Sequence, residues 1–411
     1  CTLPKLAQVT FIHIIHSECC QVNFYFFCYT TAMLSLGIVG LPNVGKSTLF
    51  NAISGLQVEA ANYPFATIEP NVGVVPVPEP RLETLAKIEK SRKIVPTVIE
   101  FNDIAGLVAG AAKGEGLGNQ FLSHIREVDA IVEVVRFFED DNIIHVSGNV
   151  DPKRDIETIE TELILADLQL VEKKLDNLKK ETKGGDKEAV IKAGLAQKYF
   201  DALSASKLGS TVAPTDEEKK SLHEFPLLTN KPTLFVANIK QSLALAPFGL
   251  ELMAERQAGA HSPRSQSSAG LDPRLREGDN LIVLDCQIES EISQLPENER
   301  ADYLKELGLA ESGLDRLIKA AYKTLGLLTF FTAGEQESRA WTIKTGDKAP
   351  AAAGKIHTDF EKGFIKADVV SYDQFVEAGG WVPAREKGWV RQEGKEYMVK
   401  DGDVVIFKFN N

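Results

Sequence analysis

The sequence predicts an α/β fold: a mostly parallel sheet with helices on its faces, a helical hairpin inserted into it, and a small α+β domain at the C-terminal end. Three observations predict it. Short apolar or β-branched runs at residues 34–39, 97–102, 130–135, 233–237 and 281–284 are separated in several places by helical stretches, the alternation that builds a parallel sheet. Between the third and fourth runs, apolar residues recur at steps of three and four, the period of a helix face. Beyond residue 327 helical signals become few, and strand-like runs at 339–343, 396–399 and 404–409 replace them.

Taken in order, residues 1–32 stand apart. They hold Cys1, Cys19, Cys20 and Cys28 and a single basic residue, Lys5, and their apolar run is broken by His13, His16, Ser17 and Glu18. A secretory signal needs a basic start, an unbroken apolar core and a small-residue cleavage site; only the last has a loose match, at Thr31-Ala32. The expectation is a leader foreign to the natural protein, which would start at Met33. The α/β domain is expected over 33–151 and 227–327, interrupted by a hairpin over 152–226. In that hairpin Ile156, Ile159, Leu163, Ala166 and Leu170 form one seam, and Leu168, Val171, Leu175 and Leu178 a second. Lys183-Gly184-Gly185-Asp186 breaks the pattern before a second helix running to Leu203. Residues 242–280 carry turn formers without periodicity and are expected to be a disordered insert. Residues 328–411 form the separate C-terminal domain, with a turn at Lys400-Asp401-Gly402-Asp403 before the last strand.

Composition bounds the function. At 411 residues, 44% hydrophobic and 25% charged, the chain is globular and long enough for two or three domains. A net charge of −12 gives no global positive field to hold it on DNA. Beyond Cys28 only Cys286 remains, and neither C-x-x-C nor H-E-x-x-H spacing occurs. That cysteine usage fits a reducing compartment, so the expected location is cytoplasmic, with neither membrane nor DNA as partner.

The chemistry begins at Gly40-Leu41-Pro42-Asn43-Val44-Gly45-Lys46-Ser47, which follows a strand and opens a helix at Thr48. This is the context a P-loop requires, and it identifies an NTPase domain. Backbone N–H groups of such a loop cradle phosphate oxygens, so Asn43, Val44, Gly45, Lys46, Ser47 and Thr48 are nucleotide-binding candidates. Lys46 should reach the β- and γ-phosphates, and the Ser47 hydroxyl should ligate Mg2+. Asp103, in Asp103-Ile104-Ala105-Gly106 at a strand tip, would hold the metal through water, and Thr67 between the two motifs would add a second hydroxyl. Lys113-Gly114-Glu115-Gly116-Leu117-Gly118 reads as a mobile switch.

These motifs resemble the YchF (Obg-like ATPase) family, at residues 40–48, 62–71 and 103–122. The resemblance runs from Met33 to Asn411 except for the insert. Phe330-Phe331-Thr332-Ala333-Gly334, Arg339-Ala340-Trp341-Thr342 and the stretch from Gly354 to Gly363 resemble that family's TGS domain. The family implies ATP as substrate, hydrolysis coupled to the large ribosomal subunit, and RNA contact through the TGS domain or the hairpin. Leu107 stands where many GTPases orient water with Gln; the family uses a His instead, matched here by His145 as the catalytic residue. Glu133 stands where some relatives have His.

Base recognition departs from the pattern. Where a GTPase has N-K-x-D and the family N-x-x-E, this chain has Asn238-Ile239-Lys240-Gln241. The Asn238 amide is expected to pair with the adenine N7 and N6 edge by two bonds, with Ile239 as an apolar face, so that ATP binds better than GTP. Two alternatives stay open at this point. One is a nucleotide-dependent scaffold or decayed copy with little turnover; the other is a conventional GTPase.

Overall fold

The computed structural model describes residues 34–56, 71–104, 117–146, 148–184, 186–240 and 280–410. The predicted parallel sheet is present. Its strands are β1 (Ser35–Val39), β2 (Val72–Pro76), β4 (Val98–Asp103), β5 (Ala130–Arg136), β6 (Thr233–Asn238) and β7 (Leu281–Leu284). Their order is β2-β4-β1-β5-β6-β7, and every neighbouring pair is parallel except β2 with β4. β5 lies inside the sheet and is buried at all seven positions, which is why it reads as a continuous apolar run and not an alternating one. Helices α1 (Lys46–Ser54) and α3 (Leu117–Glu127) belong to this layer. After β7 in the chain come α7 (Cys286–Gln294), which packs against α1, α8 (Glu297–Glu306) and α9 (Gly313–Thr324).

The hairpin consists of α4 (Pro152–Glu181) and α5 (Lys187–Ser204), followed by the short α6 (Asp216–Lys219). Asp151 caps α4 by accepting from Arg154 N, Pro152 sits in its first turn, and Lys179 and Lys180 close it; each choice complements the unpaired groups or the dipole at that end. The seams divide unevenly between two interfaces, with Leu170 of the first packing alongside the second and Ile156 against Val135 and Phe235. Ile159, Leu163 and Ala166 join the core of the parallel sheet, whereas Ile164, Val171 and Leu175 pack on Leu195, Tyr199 and Leu203. Burying side chains of this size contributes about 1.5–3 kcal/mol each. Asp167, fully buried, fastens the returning chain by accepting from Leu228 N, Thr229 N and Thr229 Oγ1.

The C-terminal domain differs from expectation in three respects. Its sheet contains β8 (Leu327–Thr332), β9 (Glu337–Lys344), β10 (Phe364–Ser371), β11 (Arg391–Glu393) and β12 (Asp403–Phe409), in the order β11-β10-β12-β8-β9-β3. The last member, β3 (Lys93–Val95), comes from the first half of the chain and pairs parallel with β9. The preceding helix α2 (Pro80–Glu89) buries Leu82 and Leu85 against Phe331, Val370, Phe375 and Trp381. Residues 80–95 thus pack with this sheet although they lie outside the expected range 328–411. The tail also holds four helices, α10 (Ala349–Ile356), α11 (Thr358–Lys362), α12 (Tyr372–Ala378) and α13 (Trp381–Glu386), each too short to display a 3.6-residue period. The run at 396–399 is no strand; Met398 makes only an isolated bridge to Lys348. Residues 1–33, 57–70, 105–116, 147, 185, 241–279 and 411 lie outside the described residues, and with them the expected leader, Thr67, Leu107, most of the expected switch at 113–118, Gln241 and nearly all of the insert.

Candidate functional site

Four strand ends converge on one edge of the parallel sheet. β1 runs into the P-loop, β4 ends at Asp103, β5 ends at Arg136 and β6 ends at Asn238. The carboxyl edge of a parallel sheet is where ligands bind, because strand-to-helix loops gather there.

The P-loop takes its shape from three residues. Gly40 has φ 155°, and a Cβ there would lie 2.6 Å from the Val134 carbonyl of β5. Gly45 has φ 107°, and its Cβ would lie 2.3 Å from Asn238 Nδ2. Asn43 adopts φ 64°, the left-handed region that Asn tolerates better than most residues. α1 then starts at Lys46 with no side chain capping its first turn, so its N–H groups and the positive end of its dipole are presented to an anion.

Lys46 is nearly buried and donates from Nζ to the Leu41 carbonyl at 2.8 Å. The loop thus satisfies its own cation until a phosphate competes for it. Burial lowers the Lys46 pKa, and the nearby Asp103 carboxylate works against that shift. Asp103 is raised by burial and pulled down by Lys46. Asp103 pairs in register with Ile38, two positions before Gly40, which puts its carboxylate beside the loop. Ser47 is exposed in the first turn of α1 and Thr48 partly so. Among the described residues no group of three or more His, Cys, Asp or Glu gathers for a metal. An exposed hydroxyl and one carboxylate beside a phosphate cradle nonetheless suit Mg2+, which prefers few protein oxygens plus phosphate and water.

Asn238 does more than expected. It is buried, its Nδ2 donates to the Val44 carbonyl at 2.8 Å, and its Oδ1 accepts from Cys286 N at 3.1 Å. The amide is a strut that ties the P-loop to the turn after β7. One Nδ2 hydrogen and one Oδ1 lone pair remain beyond these two bonds, so the strut role adds to the expected pairing with the adenine edge and does not replace it. Ile239 is half-buried and donates its backbone N–H to the Leu284 carbonyl. Lys240 pairs with Asp140 and lies over the Phe138 ring. Burial pushes the Cys286 thiol up, so this cysteine is inert packing under the loop.

The loop that carries His145 touches the P-loop through its backbone. Asn43 Nδ2 donates to the Ile144 carbonyl at 3.1 Å, while the His145 ring is buried, with Nε2 2.9 Å from Asp155 Oδ2 in the first turn of α4. In this conformation the ring is 6% exposed and its Nε2 is engaged by Asp155. Sequence reading missed two residues behind that arrangement. Arg136, 1% exposed, donates to the carbonyls of Phe138, Asp140 and Ile143, shaping the whole loop from inside. An Arg directly after a buried run was the available signal, because a buried guanidinium must find acceptors. Asp155 offered none, since an acidic first-turn residue is ordinary on any helix.

Comparison with known proteins follows the same lines. Residues 35–175 match a family described as a 50S ribosome-binding GTPase, and residues 327–410 match the C-terminal region of YchF GTPases, described as a protein of unknown function. The ribosome-binding ATPase YchF of Bacillus subtilis is 53% identical over 92% of this chain and 99% of its own length. That of Escherichia coli O157:H7 is 50% identical over 91% and 98%. The structure of the Schizosaccharomyces pombe YchF GTPase superposes with a TM-score of 0.77 at 37% identity, covering 91% of this chain and 97% of that one. No helix among the described residues is long and apolar enough to cross a membrane.

Proposed function

The chain belongs to the YchF family of ribosome-binding ATPases, and from that premise we propose that it is a Mg2+-dependent, ATP-preferring switch on the large ribosomal subunit in the cytoplasm. The observation that carries the reading is the P-loop itself. Its cation is held by its own Leu41 carbonyl, its helix N-terminus is uncapped, and a carboxylate stands beside it. Such a site is preorganised for a triphosphate and stabilises charge that develops on transfer.

The roles then divide by chemistry. Backbone N–H groups of Asn43, Val44, Gly45, Ser47 and Thr48 bind phosphate oxygens, and Lys46 leaves Leu41 to neutralise the β- and γ-phosphates. Ser47 directly, Asp103 through water, and Thr67 with a second hydroxyl would hold Mg2+, whose charge is supplied to the oxygens of the scissile bond. His145 orients the attacking water, as the family resemblance implies. RNA contact is assigned to the C-terminal domain or to the hairpin. Preference for ATP rests on the remaining donor and acceptor of Asn238, on Ile239 as an apolar face, and on neutral Gln241 where a GTPase has Asp for the guanine N1–H and 2-amino group.

Competition of unlabelled ATP and GTP against a fluorescent nucleotide, followed by single-turnover hydrolysis with and without ribosomes, tests the reading. Tighter GTP binding would move the chain to the GTPase reading, and absent turnover in both conditions would leave a scaffold.

A further inference from the structure

The loop between β5 and α4 is built inside out. Ile144 is 80% exposed and Val146 61%, while His145 between them is 6% exposed. The segment is turn-like, with Gly148 N bonding back to the His145 carbonyl, and elementary hydrophobicity would put the Ile and Val inside and the His outside. Three polar contacts hold the reversed arrangement: His145 Nε2 with Asp155 Oδ2, the Arg136 fork on the carbonyls of Asp140 and Ile143, and Asn43 Nδ2 on the Ile144 carbonyl. The last of these comes from the P-loop. The loop is therefore fastened at one end to the residue that meets phosphate and at the other to the hairpin.

We propose that Asp155 is a positioning residue that stores His145 away from the site, and that turnover requires the segment to reverse, turning His145 out while Ile144 and Val146 pack inward. Burial of two apolar side chains offsets rupture of the His145–Asp155 contact, so the two states lie close in free energy and a modest bias selects between them. Nucleotide in the P-loop supplies that bias through Asn43. The proposal rests on His145 as the water-orienting group and deepens that reading.

Steady-state ATP hydrolysis by the full chain tests it with four variants. Asp155→Asn keeps the shape and first-turn position of the side chain but removes the charge assisting the bond to His145. Its kcat should rise about three- to tenfold with KM unchanged. His145→Ala should lower kcat, and the double variant should match His145→Ala, since nothing remains to release. Replacing both Ile144 and Val146 with Ser takes away the compensation and should lower kcat without moving KM, a result a purely structural role for two exposed residues would not give. If His145→Ala lowers kcat while Asp155→Asn lowers it too or leaves it alone, storage by Asp155 is wrong and the water-orienting role survives. If His145→Ala changes nothing, that role itself fails and the proposal falls with it. Should Asp155→Asn not fold, the Ser double variant decides alone: an unchanged or increased kcat overturns the reversal.

Discussion

Replacing Asn238 with Ala separates a strut from a base reader. The substitution strips partners from two buried groups, the Val44 carbonyl at 2.8 Å and the Cys286 N–H at 3.1 Å. Both residues are 1% exposed, so water reaches them poorly. Leaving a buried donor or acceptor unmade costs about 1–3 kcal/mol, and two of them about 2–6 kcal/mol, a large share of the roughly 5–15 kcal/mol that stabilises a domain. The loss also frees Gly45 from the side chain it abuts, so the loop loses its fixed approach to phosphate. Urea unfolding should show the stability loss. Calorimetry should show ATP and GTP both weakened, because the strut supports the phosphate cradle common to both. Unchanged stability together with weakened binding of ATP alone would refute the strut and leave Asn238 as an adenine reader only.

Three further outcomes follow from the same geometry. Lys46→Ala should abolish triphosphate binding, and it should raise the Asp103 pKa further by removing the charge that pulls it down; unchanged nucleotide affinity by calorimetry would take the loop out of the mechanism. Leu85→Ala should cost about 2–5 kcal/mol and loosen the C-terminal sheet, although the residue lies in the first quarter of the chain; hydrogen exchange that slackens only around the P-loop would contradict this. Burial raises the Glu289 carboxyl above its ordinary value of 4.5, against the N–H groups of Gly313 and Leu314, which lower it. A raised carboxyl binds its proton more tightly when folded, so this group's contribution is present at acid pH and lost as pH rises through the folded value. Glu289→Gln should flatten that part of the stability curve above 4.5, and identical slopes for the two proteins would exclude the assignment.

What was legible in the sequence was whatever is written locally. The P-loop has fixed spacing, the buried strands are continuous apolar runs, and the hairpin is long enough to show two seams. Its helices at Pro152–Glu181 and Lys187–Ser204 lie where the period and the Gly184-Gly185 break put them. The rest depends on distant partners. Lys93–Val95 has three residues and no period, so nothing in it announces a strand, still less one paired with Glu337–Arg339. Asn238 was recognised by its motif position, but the motif does not say that its carbonyl oxygen also accepts from Cys286. His145 could be placed on a loop, yet its burial against Asp155 follows from the path of α4, which no spacing encodes.

The grafting of α2 and β3 into the C-terminal sheet has a consequence for how the protein is made. A chain emerging from its N-terminal end exposes Leu82, Leu85 and the backbone edge of β3 long before their partners exist; Ser91 and Ser338, bonded in the finished fold, are 247 positions apart. Contacts at such separation close late. Throughout synthesis the early segment is an apolar helix face beside an unpaired strand, the combination that invites pairing with another nascent copy. Completion of the last domain is then also the step that retires this hazard. A chain stalled before residue 337 would carry an NTPase sheet with all its strands and a sticky edge that only the missing tail can cover.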